Sequence, residues 1–169
     1  RFKLENQGQT SFIDGLCGEC IANYQQDIGD FALARDSFGA GYTFAHVIDD
    51  YLMGVTEVLR GDDLLEATHS HIILQKALGF TTPQYFHVPL VVAEDGRRLA
   101  KRHGDTRIAM LREKGYSAKQ VVGILAWWCG WAEFGEELSP TDLLNRFDWG
   151  CFNRKPAVLT QRVKEFFKL

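Results

Sequence analysis

The stretch FAHVIDDYLMGVTEVLRGDDLL (44–65) decides how the fold is interpreted. An apolar segment leads into the adjacent carboxylates Asp49 and Asp50, and a second apolar segment ends on an arginine. We interpret YTFAHVI (42–48) and VTEVL (55–59) as buried strands, because both are rich in β-branched and aromatic residues. Asp49 and Asp50 would then begin a short helix, whose free amide N–H groups donate hydrogen bonds to carboxylates.

The segments downstream complete an α/β pattern. GDDLLEATHSHIILQKALGF (61–80) has the apolar spacing of a helix, and FHVPLVV (86–92) resembles an edge strand interrupted by a proline. The last third of the chain reads as a series of helices. The predicted fold class is therefore α/β, with a mixed domain over residues 1–104 and a small helical subdomain over residues 105–169.

Composition excludes several classes of protein. The 169 residues carry a net charge of −3, so no global positive field draws the chain to nucleic acid. No apolar run approaches the length of a membrane span, and four scattered cysteines do not indicate a disulfide scaffold. We expect a monomeric cytoplasmic protein without membrane association. Because the sequence begins RFKLENQG without a methionine, we also expect it to be part of a longer chain.

Arg60 is the first candidate binding residue. It ends a predicted strand and precedes Gly61, at the carboxyl edge where open α/β sheets bind ligands. Its planar guanidinium suits a carboxylate or a phosphate. The alternative is an internal salt bridge to Asp49, Asp50 or Asp62, which composition alone favours. Similarly, a tyrosine at the head of the preceding strand could donate its hydroxyl to a ligand, although such residues more often pack half-buried.

A basic turn, EDGRRLAKRHGD (94–105), is the second candidate. Six basic side chains lie within eleven positions between residues 97 and 107. A mobile loop that carries lysine beside arginine can close on a triphosphate and stabilise charge that develops during nucleotidyl transfer. A solvated hairpin is the alternative, but six cations repel one another unless an anion is near.

Cysteine and histidine spacing does not predict a metal site. Cys17 and Cys20 form one CxxC pair without a second pair at zinc-binding spacing, which favours free or buried thiols. His69 and His71 are two residues apart on a predicted helix and therefore lie on different faces. A tryptophan-rich segment at residues 127–131 is interpreted as core of the helical subdomain.

Several motifs together resemble the glutamyl class I aminoacyl-tRNA synthetases, from about Gly29 to the end of the chain. In family order they are GDFALAR (29–35), GYTFAHVIDDYLMGVTEVLRGDDLLEAT (41–68), YFHVPLV (85–91) and DGRRLAKRHGD (95–105). RLAKR (98–102) corresponds to the KMSKS signature. The resemblance implies the second half of a Rossmann-like nucleotide-binding domain, followed by a helical subdomain that contacts the tRNA stem.

The resemblance also implies roles for individual residues. Tyr42 and Arg60 would hold the glutamate substrate, and Asp49 and Asp50 would organise the pocket floor or engage the tRNA end. Lys101 would be catalytic, stabilising the ATP phosphates during adenylation. The ATP-binding set would consist of Leu64, Arg98, Leu99, Ala100, Lys101 and Arg102. The implied substrates are glutamate, tRNA and ATP with Mg²⁺, and a zinc site would belong only to an upstream region.

The sequence departs from the family pattern in three places. The first lysine of the signature is Arg98 and its serine is Ala100, while Lys101 is retained. His46 stands where many relatives carry a small apolar or amide residue. The HIGH motif does not occur in these residues; we expect it upstream, and we expect the 169 residues alone to be inactive.

Two kinds of family member remain possible. Short members, the glutamyl-queuosine tRNA(Asp) synthetases, attach glutamate to a modified anticodon base, whereas the ordinary synthetases charge tRNA(Glu). The GDF segment and the form of the basic turn favour a short member. A tRNA-binding relative without catalytic activity is a further alternative.

Overall fold

The computed structural model describes residues 1–4, 7–34, 39–99 and 107–169. The chain divides into two compact units, an N-terminal unit of Arg1–Val88 and a C-terminal unit of Pro89–Leu169. The functional boundary predicted between residues 104 and 105 lies outside the described residues and stays a prediction.

The N-terminal unit combines a hairpin with a βαβ unit. Its strands and helices are β1 (Gln9–Asp14), β2 (Gly18–Asn23), α1 (Tyr42–Leu52), β3 (Glu57–Gly61), α2 (Leu65–Leu78) and β4 (Gln84–Val88). β1 and β2 pair in antiparallel orientation, whereas β3 and β4 pair in parallel. Since parallel strands need a crossover, α2 supplies the connection. This arrangement confirms the predicted α/β class.

Helix α1 corrects the prediction of a strand at YTFAHVI. Tyr42 is its first residue, and Asp49 and Asp50 lie near its C-terminal end instead of beginning a helix. The apolar side chains at 44, 47, 48 and 51 repeat at helical spacing, and Val47 is buried. The β-branched composition was therefore a weaker guide than the apolar period.

Strands β3 and β4 place two polar residues side by side. In their parallel register Arg60 lies opposite His87. Helix α2 packs Ile72, Ile73 and Leu74 into the interior of the unit. It begins after a 3₁₀ turn at Asp62–Leu64 and ends at Gly79, whose φ of 71° is the left-handed conformation typical of a helix end.

Helices supply most of the regular structure of the C-terminal unit, and all four of those described lie within the range of residues 105–169 that was predicted to be helical. Its elements are β5 (Val91–Val92), α3 (Ile108–Glu113), α4 (Ala118–Cys129), α5 (Pro140–Leu144), β6 (Ala157–Val158) and α6 (Gln161–Phe166). The parallel β5–β6 pair was not predicted, because two residues are too few to show a period. Ser117 caps α4 through a capping box with Gln120.

Two aromatic groups support these helices. Trp127 and Trp128 pack against the main core of the unit, which confirms their predicted role. Trp131 instead belongs to a second group. Its ring centre lies 5.0 Å from that of Phe147 and 5.7 Å from that of Phe152. Within the described ranges, no helix is both long enough and apolar enough to cross a lipid bilayer.

Candidate functional site

The guanidinium of Arg60 is the centre of the candidate site. Its Nε–H donates to Nε2 of His87 at 3.1 Å, across the β3–β4 pair. Its Nη2 donates to the carbonyl of Leu64 at 3.2 Å and to the hydroxyl of Thr68. Tyr85 adds a cation–π contact, with its ring centre 5.3 Å from Cζ. β3, β4 and the start of α2 together hold this side chain.

Two further histidines complete the surroundings of Arg60. Nη1 lies 3.2 Å from Nε2 of His46 on α1 and 3.3 Å from Nδ1 of His71 on α2. These ring nitrogens accept from Arg60 when they are unprotonated. Burial, the cation of Arg60 and neighbouring histidines lower the pKa of His71 to about 3, so this imidazole is neutral near pH 7.

The hydrogen-bond partners of Arg60 within the described part of the chain carry no negative charge. Among the residues that the structure describes, no carboxylate forms an ion pair with it. The alternative of an internal salt bridge to Asp49, Asp50 or Asp62 is thus not found within this part of the chain. Instead, Oδ2 of Asp50 lies 3.2 Å from Nε2 of His46.

Tyr42 joins the same side-chain cluster from the first turn of α1. Its ring stacks on that of His46 with 5.5 Å between the ring centres, and its ring centre lies 5.8 Å from that of His71. Because both histidines also contact Arg60, the structure brings Tyr42 and Arg60 together, although Tyr42 opens a helix and not the predicted strand. The tyrosine remains 57% exposed, so its phenol is accessible to a ligand.

A buried carboxylate contacts the side of the His87 ring that faces away from Arg60. Oδ2 of Asp14 lies 2.7 Å from Nδ1 of His87, and both side chains are fully buried. Oδ1 of Asp14 accepts from the amides of Leu16 and Cys17 at 2.9 Å and of His87 at 3.2 Å. Burial acts to raise the pKa of Asp14, but these hydrogen bonds, led by that from Cys17, hold it below the usual 3.8.

The other predicted site residues are placed as follows. The carbonyl of Leu64 contacts Arg60, whereas Arg98 and Leu99 belong to the C-terminal unit. Arg98 forms an isolated bridge with Val92, and Leu99 packs against the core of its unit. Ala100, Lys101 and Arg102 lie outside the described residues, so the ATP-binding role of the loop and the catalytic role of Lys101 stay predictions. Asp49 is exposed.

Residues 1–153 match the family described as "tRNA synthetases class I (E and Q), catalytic domain". The chain belongs to this family. It is 40% identical to a glutamate–tRNA ligase of Natranaerobius thermophilus, over 94% of the chain and 35% of that protein. It is also 40% identical to a glutamyl-Q tRNA(Asp) synthetase of Rhodopirellula baltica, over 88% of the chain and 49% of that protein.

A solved synthetase has the same fold. The glutamate–tRNA synthetase of Elizabethkingia anophelis superposes with a TM-score of 0.79 at 25% identity, over 96% of the chain and 37% of that structure. The chain thus spans between about a third and half of the length of these relatives. These matches confirm the predicted family and its α/β catalytic fold.

The sequence prediction missed several residues around Arg60. They are Asp14, Thr68, His71 and His87. One signal was present: positions 64, 68 and 71 have the spacing of a single helix face. The histidines were considered as metal ligands only, and within the described ranges no group of three or more metal-ligating side chains is arranged to hold an ion. None of the four cysteines forms a disulfide with another.

The neutral His71 predicts a pH dependence of stability. Its pKa falls from the usual 6.5 to about 3 on folding, so the unfolded chain binds the extra proton between these values. The stability that the neutral His71 gives to the folded chain is fully present above pH 6.5 and is lost as the pH decreases toward 3. When the pH is lowered from 7.5 to 5.5, the protonation of His71 in the unfolded chain should decrease the free energy of unfolding by about 1.4 kcal/mol.

Urea denaturation at both pH values, followed by circular dichroism, measures this loss. In His71→Gln the loss should be smaller by that amount. Both proteins carry His46→Gln, because the ring of His46 lies 4.6 Å from that of His71 and its protonation would change with the substitution. His69, whose pKa is also lowered by burial, contributes equally to both proteins. An identical pH dependence in the two proteins would show that His71 does not carry the effect.

Proposed function

We propose that the full-length protein carrying this chain is an ATP-dependent ligase that activates glutamate as an adenylate and transfers it to tRNA. The observation that supports this most directly is the half-buried guanidinium of Arg60, which has neutral acceptors and no paired carboxylate among the described residues. A partly desolvated cation of this kind favours an anionic ligand. A carboxylate of glutamate fits, since hydrogen bonds from a guanidinium to a carboxylate are charge-assisted and stronger than those to a neutral acceptor.

The arrangement suggests where this carboxylate binds. Within the described residues, Nη1 lies 3.2 Å from Nε2 of His46 and 3.3 Å from Nδ1 of His71, and neither imidazole carries a negative charge. A carboxylate makes stronger hydrogen bonds with the same N–H groups and would replace them. The exposed phenol of Tyr42 lies over His46 and would orient the substrate.

The proposed reaction has two steps. A carboxylate oxygen of glutamate attacks the α-phosphorus of ATP and releases pyrophosphate, and the acyl group then moves to a tRNA hydroxyl with release of AMP. ATP would bring Mg²⁺, and Leu64 with residues 98–102 would contact the nucleotide. Lys101 would stabilise the charge that develops on the phosphates.

For the acceptor, we propose queuosine in tRNA(Asp). The 40% identity with the glutamyl-Q tRNA(Asp) synthetase of Rhodopirellula baltica supports this choice. Transfer to tRNA(Glu) is the second candidate, because the glutamate–tRNA ligase of Natranaerobius thermophilus is equally identical.

Transfer of radiolabelled glutamate by the full-length protein tests the proposal. The acceptors are tRNA(Asp) with queuosine, the same tRNA(Asp) lacking queuosine, and tRNA(Glu). We expect labelling of the queuosine-containing tRNA(Asp) alone. Labelling of tRNA(Glu) alone would establish the second candidate, and binding of tRNA without any ATP-dependent labelling would contradict both ligase assignments.

A further inference from the structure

Asp14, His87 and Arg60 form a continuous line of hydrogen bonds. It runs from the carboxylate at the end of β1, through the imidazole on β4, to the guanidinium on β3. We infer that Asp14 and His87 form a positioning relay that aims the guanidinium of Arg60 at a carboxylate ligand. The inference rests on the proposed function for the identity of the ligand, but its hydrogen-bond step is independent of that identity.

The chemistry of the imidazole explains how the relay works. Nδ1 of His87 faces a carboxylate oxygen, which only accepts, so Nδ1 carries the proton and donates it. In the neutral ring Nε2 is then an acceptor, which is what the Nε–H of Arg60 requires at 3.1 Å. The opposite tautomer would place two N–H groups against each other. Asp14 therefore determines whether Arg60 has a partner on this side.

Burial restricts Asp14 and His87 to this positioning role. Neither side chain is exposed, so a ligand reaches Arg60 without touching either residue. The Nε–H of Arg60 is occupied by the relay, and its Nη2 by Leu64 and Thr68. Nη1 is the remaining nitrogen, and it points to the side of the cluster that contains Tyr42 and His46.

Asp14→Asn tests the relay with a nearly unchanged shape. The asparagine oxygen can keep the three backbone amides that Oδ1 accepts, so its NH₂ group must take the place of Oδ2. That NH₂ group donates to Nδ1 and transfers the ring proton to Nε2, a reversal of the kind produced by the same substitution in Ser-His-Asp triads. Arg60 then faces a donor.

We expect Asp14→Asn to raise the KM for glutamate in pyrophosphate exchange by about 10-fold to 100-fold, the loss of one hydrogen bond to a charged group. The KM for ATP should not change, since ATP does not contact Arg60 in the proposed site. Nitrogen-15 spectra of the imidazoles in the full-length protein should show His87 protonated on Nδ1 in the wild type and on Nε2 in the variant.

Thr10→Val is the matched control. Thr10 is buried on the same strand, and among the residues with described positions its hydroxyl has no hydrogen-bond partner, so neither KM should change. If Asp14→Asn does not fold, His87→Leu removes the acceptor while leaving the carboxylate with its backbone amides, and it should raise the KM for glutamate in the same way.

The outcomes separate the relay from the proposed function. A wild-type ring protonated on Nε2, or an unchanged KM for glutamate in a folded variant whose wild type activates glutamate, would overturn the relay and leave the function intact. A wild type that activates a different amino acid would refute the proposed function. The relay would then be judged by the imidazole spectra and by the KM for that amino acid.

Discussion

Glutamate-dependent pyrophosphate exchange is expected to fall by about 10²-fold to 10⁴-fold when Arg60 is replaced by alanine in the full-length protein. A carboxylate bound by the guanidinium makes two charge-assisted hydrogen bonds of about 1.5–3 kcal/mol each, and the substitution removes both. The assay is run at saturating ATP, with and without unfractionated tRNA. Retained exchange at wild-type levels would remove Arg60 from substrate binding.

Two variants control for charge and for folding. Lys76→Ala removes a cation from an exposed position on α2 in the same unit and should leave exchange unchanged. Arg60→Lys keeps the charge but replaces the planar fork with a point charge, so its activity should lie between those of the wild type and the alanine variant. Circular dichroism compares folding, because the alanine variant also leaves the acceptors on His87 and Thr68 without their donor.

Gly123→Ala is expected to destabilise the C-terminal unit by about 3 kcal/mol, the upper part of the range for overpacking. Gly123 is buried within α4, and a Cβ added there would lie 1.7 Å from the backbone oxygen of Glu136. Backbone atoms cannot move aside as a flexible side chain does. Either the helix or the segment around Glu136 must therefore shift. In an exposed helix the same change would stabilise by about 1 kcal/mol.

Urea denaturation followed by tryptophan fluorescence measures this effect, since Trp127 and Trp128 lie on the same helix. Lys119→Ala, at an exposed position of α4, provides the control and should alter the free energy of unfolding little. An increase in stability for Gly123→Ala would show that α4 does not approach the segment around Glu136 closely.

The sequence predicted the parts of the fold that have a clear period. Residues 61–80 have helical spacing, and α2 occupies most of that range; VTEVL overlaps β3. α1 was misinterpreted because Val47 and Ile48 suggested a strand by composition, although the apolar period was helical. β6 has only two residues and depends on its partner β5 for its identity.

For the candidate site, sequence reasoning identified the residues whose chemistry stands out locally. Arg60 and Tyr42 were proposed from their positions and from the family resemblance, and the structure places them in one cluster, while their roles in binding stay predictions. His87 and Asp14 were missed, because their roles depend on strand pairing. Nothing near Asp14 in the sequence indicates that its carboxylate meets an imidazole from β4.

The hydrogen bond between Asp14 and His87 spans 73 residues of the chain. Closing so long a loop costs conformational entropy before the contact is made, and non-local contacts of this kind slow folding. We expect the surroundings of Arg60 to be among the last parts of the N-terminal unit to form, after the β1–β2 hairpin and α2. A newly synthesised chain would then bind a substrate only after its N-terminal unit has folded completely.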